Sequence, residues 1–269
     1  MDRLPRTYLF VPGDRPERFA KALASGADAA VIDLEDAVGP AAKPAAREAV
    51  SSFLAGGADR GRIVVRINDE STPWFADDVA MLALRGAPAA MLPKAERPHT
   101  VALLRHACPQ IAVLALVETA RGVLAAEALA AAPGVQRLVF GTIDFALDLD
   151  LSGDALGLDH AASRLALASR AAGIASPVAG VTAAIDDEAL LLAELARARA
   201  HGFGAKLCIH PRQVAPIHEA LAPSAAELAW AQRVLQTAGA ATGAVQVDGR
   251  MVDRPVIERA RRLVERARR

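Results

Sequence analysis

Short aliphatic runs alternate along this chain with longer stretches of Ala, Leu, Arg and Glu at helical spacing, the pattern of repeated βα units around a parallel sheet. The runs are TYLFV (7–11), AAVIDL (29–34), RIVVRI (62–67), AAMLP (89–93), IAVLALV (111–117), RLVFG (137–141), SPVAGV (176–181) and AKLCI (205–209). Eight strands with seven intervening helical segments predict an α/β fold, a (β/α)8 TIM barrel, with a doubly wound open sheet as the structural alternative. Several helical stretches open on turn or cap residues: Asp14 and Pro16 precede ERFAKALAS, and Asp186 precedes DEALLLAELARARA. Past the eighth strand come HPRQVAPIHEAL, a helix over about 224–239, a short polar stretch VQVDGRMVDRP, and a final helix. The expected division is a barrel over residues 1–222 and a C-terminal helical extension over 223–269. That extension packs on, or completes the site of, a neighbouring subunit.

Composition narrows the picture. More than half of the 269 residues are apolar and aromatics are scarce, so the core is built from small aliphatic side chains. Thirty-one basic residues balance thirty-one acidic ones, which removes the global field of a nucleic-acid or membrane binder. The basic run ERARRLVERARR is interrupted by Glu258 and Glu265 and reads as a solvated amphipathic helix. No apolar run reaches the roughly 20 residues of a membrane span. Cys108 and Cys208 form no CxxC pattern, and MDRLPRTYLF lacks the apolar centre of a signal peptide. These features predict a cytoplasmic protein with reduced thiols.

In a parallel barrel the residues just past the C-terminal strand ends build the site. Strand two here runs into Glu35 and Asp36, strand three carries Arg66 and Asn68, strand four leads to Lys94 and Glu96, strand five to Glu118, strand six to Asp144, and strand eight to His210. Charges at the mouth of an apolar barrel are costly unless they are paired or bind a metal. Glu118 and Asp144 end adjacent strands, and two carboxylates with waters and substrate oxygens suit Mg2+, whereas no Cys/His cluster offers zinc its spacing. Glu35 and Asp36 are candidates for orienting metal-bound waters, or else form a solvated loop pair. Arg66 is a candidate partner for a substrate carboxylate or a developing oxyanion; the alternative is a buried ion pair with Glu35 or Asp36. The remaining histidines lie in helical or loop surroundings and read as surface or capping residues.

Taken in order, YLFVPGDRPERFAKA, VIDLEDAV, KPAAR, VVRIN, MLPKAE, LVETARG, FGTID, CIHPRQV and GRMVDRPV resemble the citrate lyase beta-subunit-like proteins of the HpcH/HpaI aldolase family, relatives of malyl-CoA and citramalyl-CoA lyases. The resemblance runs from Tyr8 to about Val256. It implies a Mg2+-dependent TIM-barrel lyase that makes or breaks a carbon–carbon bond beside a thioester, with Glu118 and Asp144 as metal ligands and Arg66 as substrate-binding arginine. By the same resemblance Phe10, Arg15 and Lys21 contact coenzyme A, Ile209 and His210 contact substrate, and Asp253 is a catalytic carboxylate lent by a neighbouring subunit of a trimer or hexamer. Two departures alter the lining around the acyl group. Ile143 in GTID stands where many members have Glu, and Ala179 stands in a segment that has no Asp before Asp186. The substrates implied are an acyl-CoA or a 2-oxo acid; with no carrier domain attached, free CoA esters are expected, the alternatives being a citryl-carrier lyase subunit of a citrate lyase complex or a metal-dependent aldolase on free 2-oxo acids.

Overall fold

The computed structural model describes residues 4–57, 59–152, 156–239, 245–248 and 250–267. All eight expected strands form: β1 (Thr7–Pro12), β2 (Ala29–Asp33), β3 (Ile63–Arg66), β4 (Ala89–Leu92), β5 (Ala112–Val117), β6 (Val135–Phe140), β7 (Val178–Ala179) and β8 (Ala205–Cys208). They close into a parallel barrel in chain order, β8 returning to pair with β1. The helices between them are α1 (Phe19–Ala24), α2 (Lys43–Ala55), α3 (Phe75–Arg85), α4 (Pro98–Ala107), α5 (Ala120–Leu124), α6 (Ala126–Ala131), α7 (Thr142–Asp148), α8 (Leu156–Ala171) and α9 (Glu188–Ala200). α10 (Val214–Leu221), α11 (Ala225–Gly239) and α12 (Arg254–Ala267) follow β8.

Alternate residues of each strand fill the barrel. Tyr8, Ala29, Val31, Val64, Met91, Leu114, Leu116, Val139, Val178, Ala205 and Leu207 form one buried cluster, with Phe10 packed on it. Strand side chains alternate between faces, so the residues in phase with this cluster at the C-terminal ends also point inward. On β2 the next such position after Val31 is Asp33, on β3 after Val64 it is Arg66, and after Leu114 and Leu116 it is Glu118. At the other end of the barrel Arg137 is buried and structural. Its Nε donates to the Ser176 carbonyl at 2.8 Å and its Nη1 to the Tyr8 hydroxyl at 3.1 Å.

Two local expectations shift. α9 is capped by Asp187, whose Oδ1 accepts from the Leu190 amide at 2.9 Å, while Asp186 is turned to an ion pair with Arg212 at 2.6 Å. β7 is only Val178–Ala179, far shorter than SPVAGV, because Pro177 lacks an amide donor and the Gly180 carbonyl is engaged by a lysine side chain.

By compactness the chain divides into one unit over Pro5–Ile217 and a second from His218 to the C-terminus. In the second unit α11 and α12 pack through Ala231, Val234, Ala260 and Leu263, together with a two-stranded hairpin of β9 (Val245–Val247) and β10 (Arg250–Val252). The hairpin is not among the elements expected from the sequence, although Asp-Gly between two short apolar runs is its turn signal and Asp248 adopts the left-handed conformation such a turn requires. α12 carries the expected ion pair, Arg261 to Glu258 at 2.6 Å.

Candidate functional site

Asp33 and Arg66 are register partners on β2 and β3, so their side chains stand side by side on the inner face. The guanidinium grips the carboxylate with both arms: Nε donates to Asp33 Oδ1 at 2.7 Å and Nη2 to Oδ2 at 2.6 Å. Nη1 lies 3.0 Å from Glu35 Oε2 and donates to Asp36 Oδ2 at 3.2 Å. Beneath it, the Phe10 ring is 4.9 Å from the guanidinium carbon, a cation–π contact. Burial alone would pull Arg66 down, but the Asp33 bonds and the charges of Glu35 and Asp36 outweigh it and hold the cation above its ordinary range. Of its two sequence readings, Arg66 takes the ion-pair alternative in the structure. It is in a buried ion pair, chiefly with Asp33, and its Nη1 edge is oriented toward the mouth carboxylates.

Asp33 also accepts the backbone amides of Glu35 and Ala37 at 2.9 and 3.0 Å, which folds the chain after β2 so that Glu35 turns inward. Lys43 at the start of α2 ties the same segment down, donating to the carbonyls of Leu34 and Glu35 at 2.8 and 2.9 Å and to Asn68 Oδ1 at 2.6 Å. Asn68 in turn donates to Asp78, and Asp78 to Arg47 is an ion pair of 2.7 Å. Lys43 and Arg47 are the two charged ends of KPAAR, so that motif braces the β2 end. Glu35 Oε2, buried and near Arg66 without the alignment of a hydrogen bond, has no hydrogen-bond partner among the described residues. Burial pushes its carboxyl up to about 8; Arg66 works against this, and Asp36, Glu118 and Asp33 add to it.

Glu118, 3 % exposed, occupies the inner-face position after β5. Its Oε1 accepts the Lys94 amide at 2.8 Å, a bond that requires Lys94 to hold a left-handed φ of 46°. Lys94 thus serves through its backbone, and its side chain is exposed. Burial raises the Glu118 carboxyl to about 7; the Lys94 amide opposes the rise, Asp144 adds to it, and Arg66 and Asp36 pull in opposite directions. Gly141 at the end of β6 is required by this packing, since a Cβ there would sit 2.6 Å from both Glu118 Cβ and Oε2. Asp144 lies exposed in the first turn of α7, close enough to Glu118 to raise its affinity for a proton. Ile143 beside it is 55 % exposed.

The other sequence candidates lie outside this cluster of bonds. Arg15 and Lys21 are exposed after β1, Arg15 pairing with Asp14 at 3.8 Å. His210 Nδ1 accepts the Arg212 amide at 3.2 Å, and the Ile209 amide donates to Gln213 Oε1 at 2.9 Å, so both brace the turn after β8. Asp253, in the second unit, is exposed and caps α12, its Oδ1 accepting from the Val256 amide at 3.3 Å. The sequence reading missed Asp33, Lys43 and Gly141. Inner-face parity after Ala29 and Val31 was the signal for Asp33.

Among the described residues no group of three or more His, Cys, Asp or Glu side chains is placed to hold a metal ion. The carboxylate pair of Glu118 and Asp144 nonetheless fits a hard cation that keeps waters in its shell. It offers only oxygen donors, one of them buried and driven toward its neutral form by burial and by the other's charge. Among the described residues no helix is long and apolar enough to cross a membrane.

Residues 6–211 match the HpcH/HpaI aldolase/citrate lyase family, and residues 163–269 match a family described as carbon–carbon bond lyase of the TIM-barrel fold. A citrate lyase subunit beta-like protein of Mycobacterium tuberculosis is 40% identical over 267 residues, covering 97% of this chain and 94% of its own. A (3S)-malyl-CoA thioesterase of Cereibacter sphaeroides is 36% identical over 270 residues, covering 97% and 94%. The solved structure of CitE from Mycobacterium tuberculosis in complex with magnesium, acetoacetate and coenzyme A superposes with a TM-score of 0.88 at 40% identity, over 98% of each chain.

Proposed function

Because the chain belongs to the HpcH/HpaI aldolase/citrate lyase family and is a carbon–carbon lyase by class, we propose that it cleaves or forms a 3-hydroxyacyl-CoA such as malyl-CoA, citramalyl-CoA or citryl-CoA, yielding a 2-oxo acid and acetyl-CoA, with Mg2+ as cofactor. The observation that carries this reading is the buried Glu118 facing Asp144 beside the braced Arg66. The magnesium and coenzyme A bound by the similar CitE structure support it.

In this reading Glu118 and Asp144 hold the ion, which supplies Lewis-acid polarisation of the substrate's hydroxyl and carboxylate oxygens when bound. In cleavage the hydroxyl proton departs, the bond between the carbinol carbon and the thioester α-carbon breaks, and its electron pair moves into the thioester as an enolate. Protonation of the α-carbon gives acetyl-CoA. Arg66, held by Asp33 and stacked on Phe10, faces the enolate oxygen with fixed positive charge that needs no reorganisation. Burial raises the Glu35 carboxyl against the pull of Arg66, which lessens the negative charge beside that oxyanion, and Asp36 helps orient the guanidinium. Phe10, Arg15 and Lys21 are assigned to the coenzyme, and Ile143, Ile209 and His210 to the acyl end. Asp253 of a second copy carries the proton, so the extension over 223–269 serves to bring that carboxylate to a neighbouring site.

Asp144→Ala tests the ion site. With Mg2+ present, turnover of whichever CoA ester the wild type accepts falls about 10³-fold, equivalent to about 4 kcal/mol of transition-state stabilisation. Undiminished turnover would refute the assignment. Mixing Asp253→Ala with Glu118→Gln subunits restores part of the activity that each lacks alone; no recovery after demonstrated subunit exchange would refute a shared site.

A further inference from the structure

A cavity of about 110 Å³ lies in the barrel wall, between α8, α9 and the outer face of β6 to β8. Thr142 at the start of α7 and Gly180 just after β7 lie on its lining. Phe140, Leu158, Ala162, Val181, Ala198 and Phe203 give it apolar walls. Asp159, Glu194, Arg197 and His201 also line it, and the buried charged side chain at its floor is Lys206, 2 % exposed, on the outer face of β8, its neighbours Ala205 and Leu207 belonging to the barrel interior.

The ammonium has three N–H donors. One goes to the Gly180 carbonyl at 2.8 Å. The nearest carboxylate, Glu194 Oε2, is 3.6 Å away, beyond a good hydrogen bond, and is itself engaged by the Thr182 hydroxyl on a side chain 43% exposed. The ammonium thus has one hydrogen bond of normal length and one longer ion pair, and burial pulls it below the usual lysine range although Glu194 works against the fall. Above the floor, the two helices are clasped. Asp159 on α8 accepts from Arg197 Nε and Nη2 on α9 at 2.8 Å each, and His201 bridges Asp159 Oδ1 at 2.8 Å and Ser163 Oγ at 3.1 Å. The cation at the rim is therefore already matched at 2.8 Å, whereas Lys206 meets its carboxylate, Glu194, only at 3.6 Å.

We propose that this cavity is a second binding site, distinct from the barrel mouth, for a short aliphatic monocarboxylate whose carboxylate pairs with Lys206 and whose alkyl chain lies against Phe140, Ala162 and Phe203. The size admits only a few carbons, since an apolar cavity of about 150 Å³ holds one six-membered hydrocarbon ring. A second carboxylate on the ligand would meet the apolar wall or Glu194, so dicarboxylates are excluded.

Propionate is the probe, followed by calorimetry and ligand-observed NMR on the full chain. Wild type and Glu118→Gln bind it equally, because Glu118→Gln disables only the mouth. Lys206→Met and the cavity-filling Ala198→Leu each bind at least about tenfold more weakly, about 1.4 kcal/mol, and so does propionamide to the wild type. Absence of propionate binding to the wild type would overturn the proposal, as would its loss in Glu118→Gln, its retention in Ala198→Leu or Lys206→Met, or equal binding of propionamide. The propionamide comparison needs no variant, so the result stands even where a substitution perturbs folding.

Discussion

The two sides of the barrel mouth solve the same electrostatic problem differently. At the ends of β2 and β3 the chain supplies its own cation. Arg66 is bonded through two nitrogens to Asp33, and Lys43, Asn68 and Asp78 lock the surrounding backbone. At the ends of β5 and β6 the chain supplies carboxylates, and the bond it gives Glu118 is a neutral backbone amide. One side is a finished ion pair and the other is an incomplete one. On the proposed reading, the second side takes a cation brought from outside, and the first fixes the guanidinium beside it.

Substitutions should separate the two sides. Arg66→Met leaves Asp33, only 1 % exposed, without its cation. It costs about 3–5 kcal/mol of folding stability in chemical denaturation and about 10²–10³-fold in kcat. Glu118→Gln abolishes activity to a similar or greater degree but leaves metal-free stability equal or higher, because it removes a buried carboxylate that lacks a matching charge. If both variants lost stability alike, the contrast between a finished and an unfinished side would fail. A smaller effect comes from Gly141→Ala. The added methyl collides with Glu118 and displaces its carboxylate, lowering kcat by about 10²-fold.

The subtlest effect is in pH. Glu118 and Glu35 have folded pKa values of about 7 and about 8, above those of an unfolded chain. The metal-free fold therefore binds more protons than the unfolded chain between these limits, and its stability falls as pH rises from the carboxylate range through about 8. Added Mg2+ favours the ionised Glu118, so it releases protons on binding, binds more tightly as pH rises through about 7, and flattens the loss of stability. Thermal unfolding at several pH values with and without Mg2+ checks this, and Glu118→Gln should remove most of the metal-dependent difference.

Much of this was legible in the sequence. The eight strands showed as aliphatic runs because strands buried on both faces carry little else. Glu118, Asp144 and Arg66 showed as charges that break such runs. Asp33 did not, since its carboxylate sits inside AAVIDL and was absorbed into the core reading; only the two-residue phase from Val31 separates it from Ile32. Lys94 pointed to the right place for the wrong atom, because a backbone amide in a left-handed turn leaves no mark on residue type. Gly141 was invisible for a related reason, its need arising from a side chain on the neighbouring strand. Lys206 was hidden like Asp33, inside the run AKLCI, and becomes visible only once Ala205 and Leu207 are seen to face the other way.

The most direct test is the position of the ion itself. In crystals soaked with Mn2+ in place of Mg2+, anomalous diffraction should place one strong peak within bonding distance of carboxylate oxygens of both Glu118 and Asp144, and none at Asp33 and Arg66. A peak coordinated elsewhere, or none at the Glu118 and Asp144 pair at saturating metal, would contradict the account.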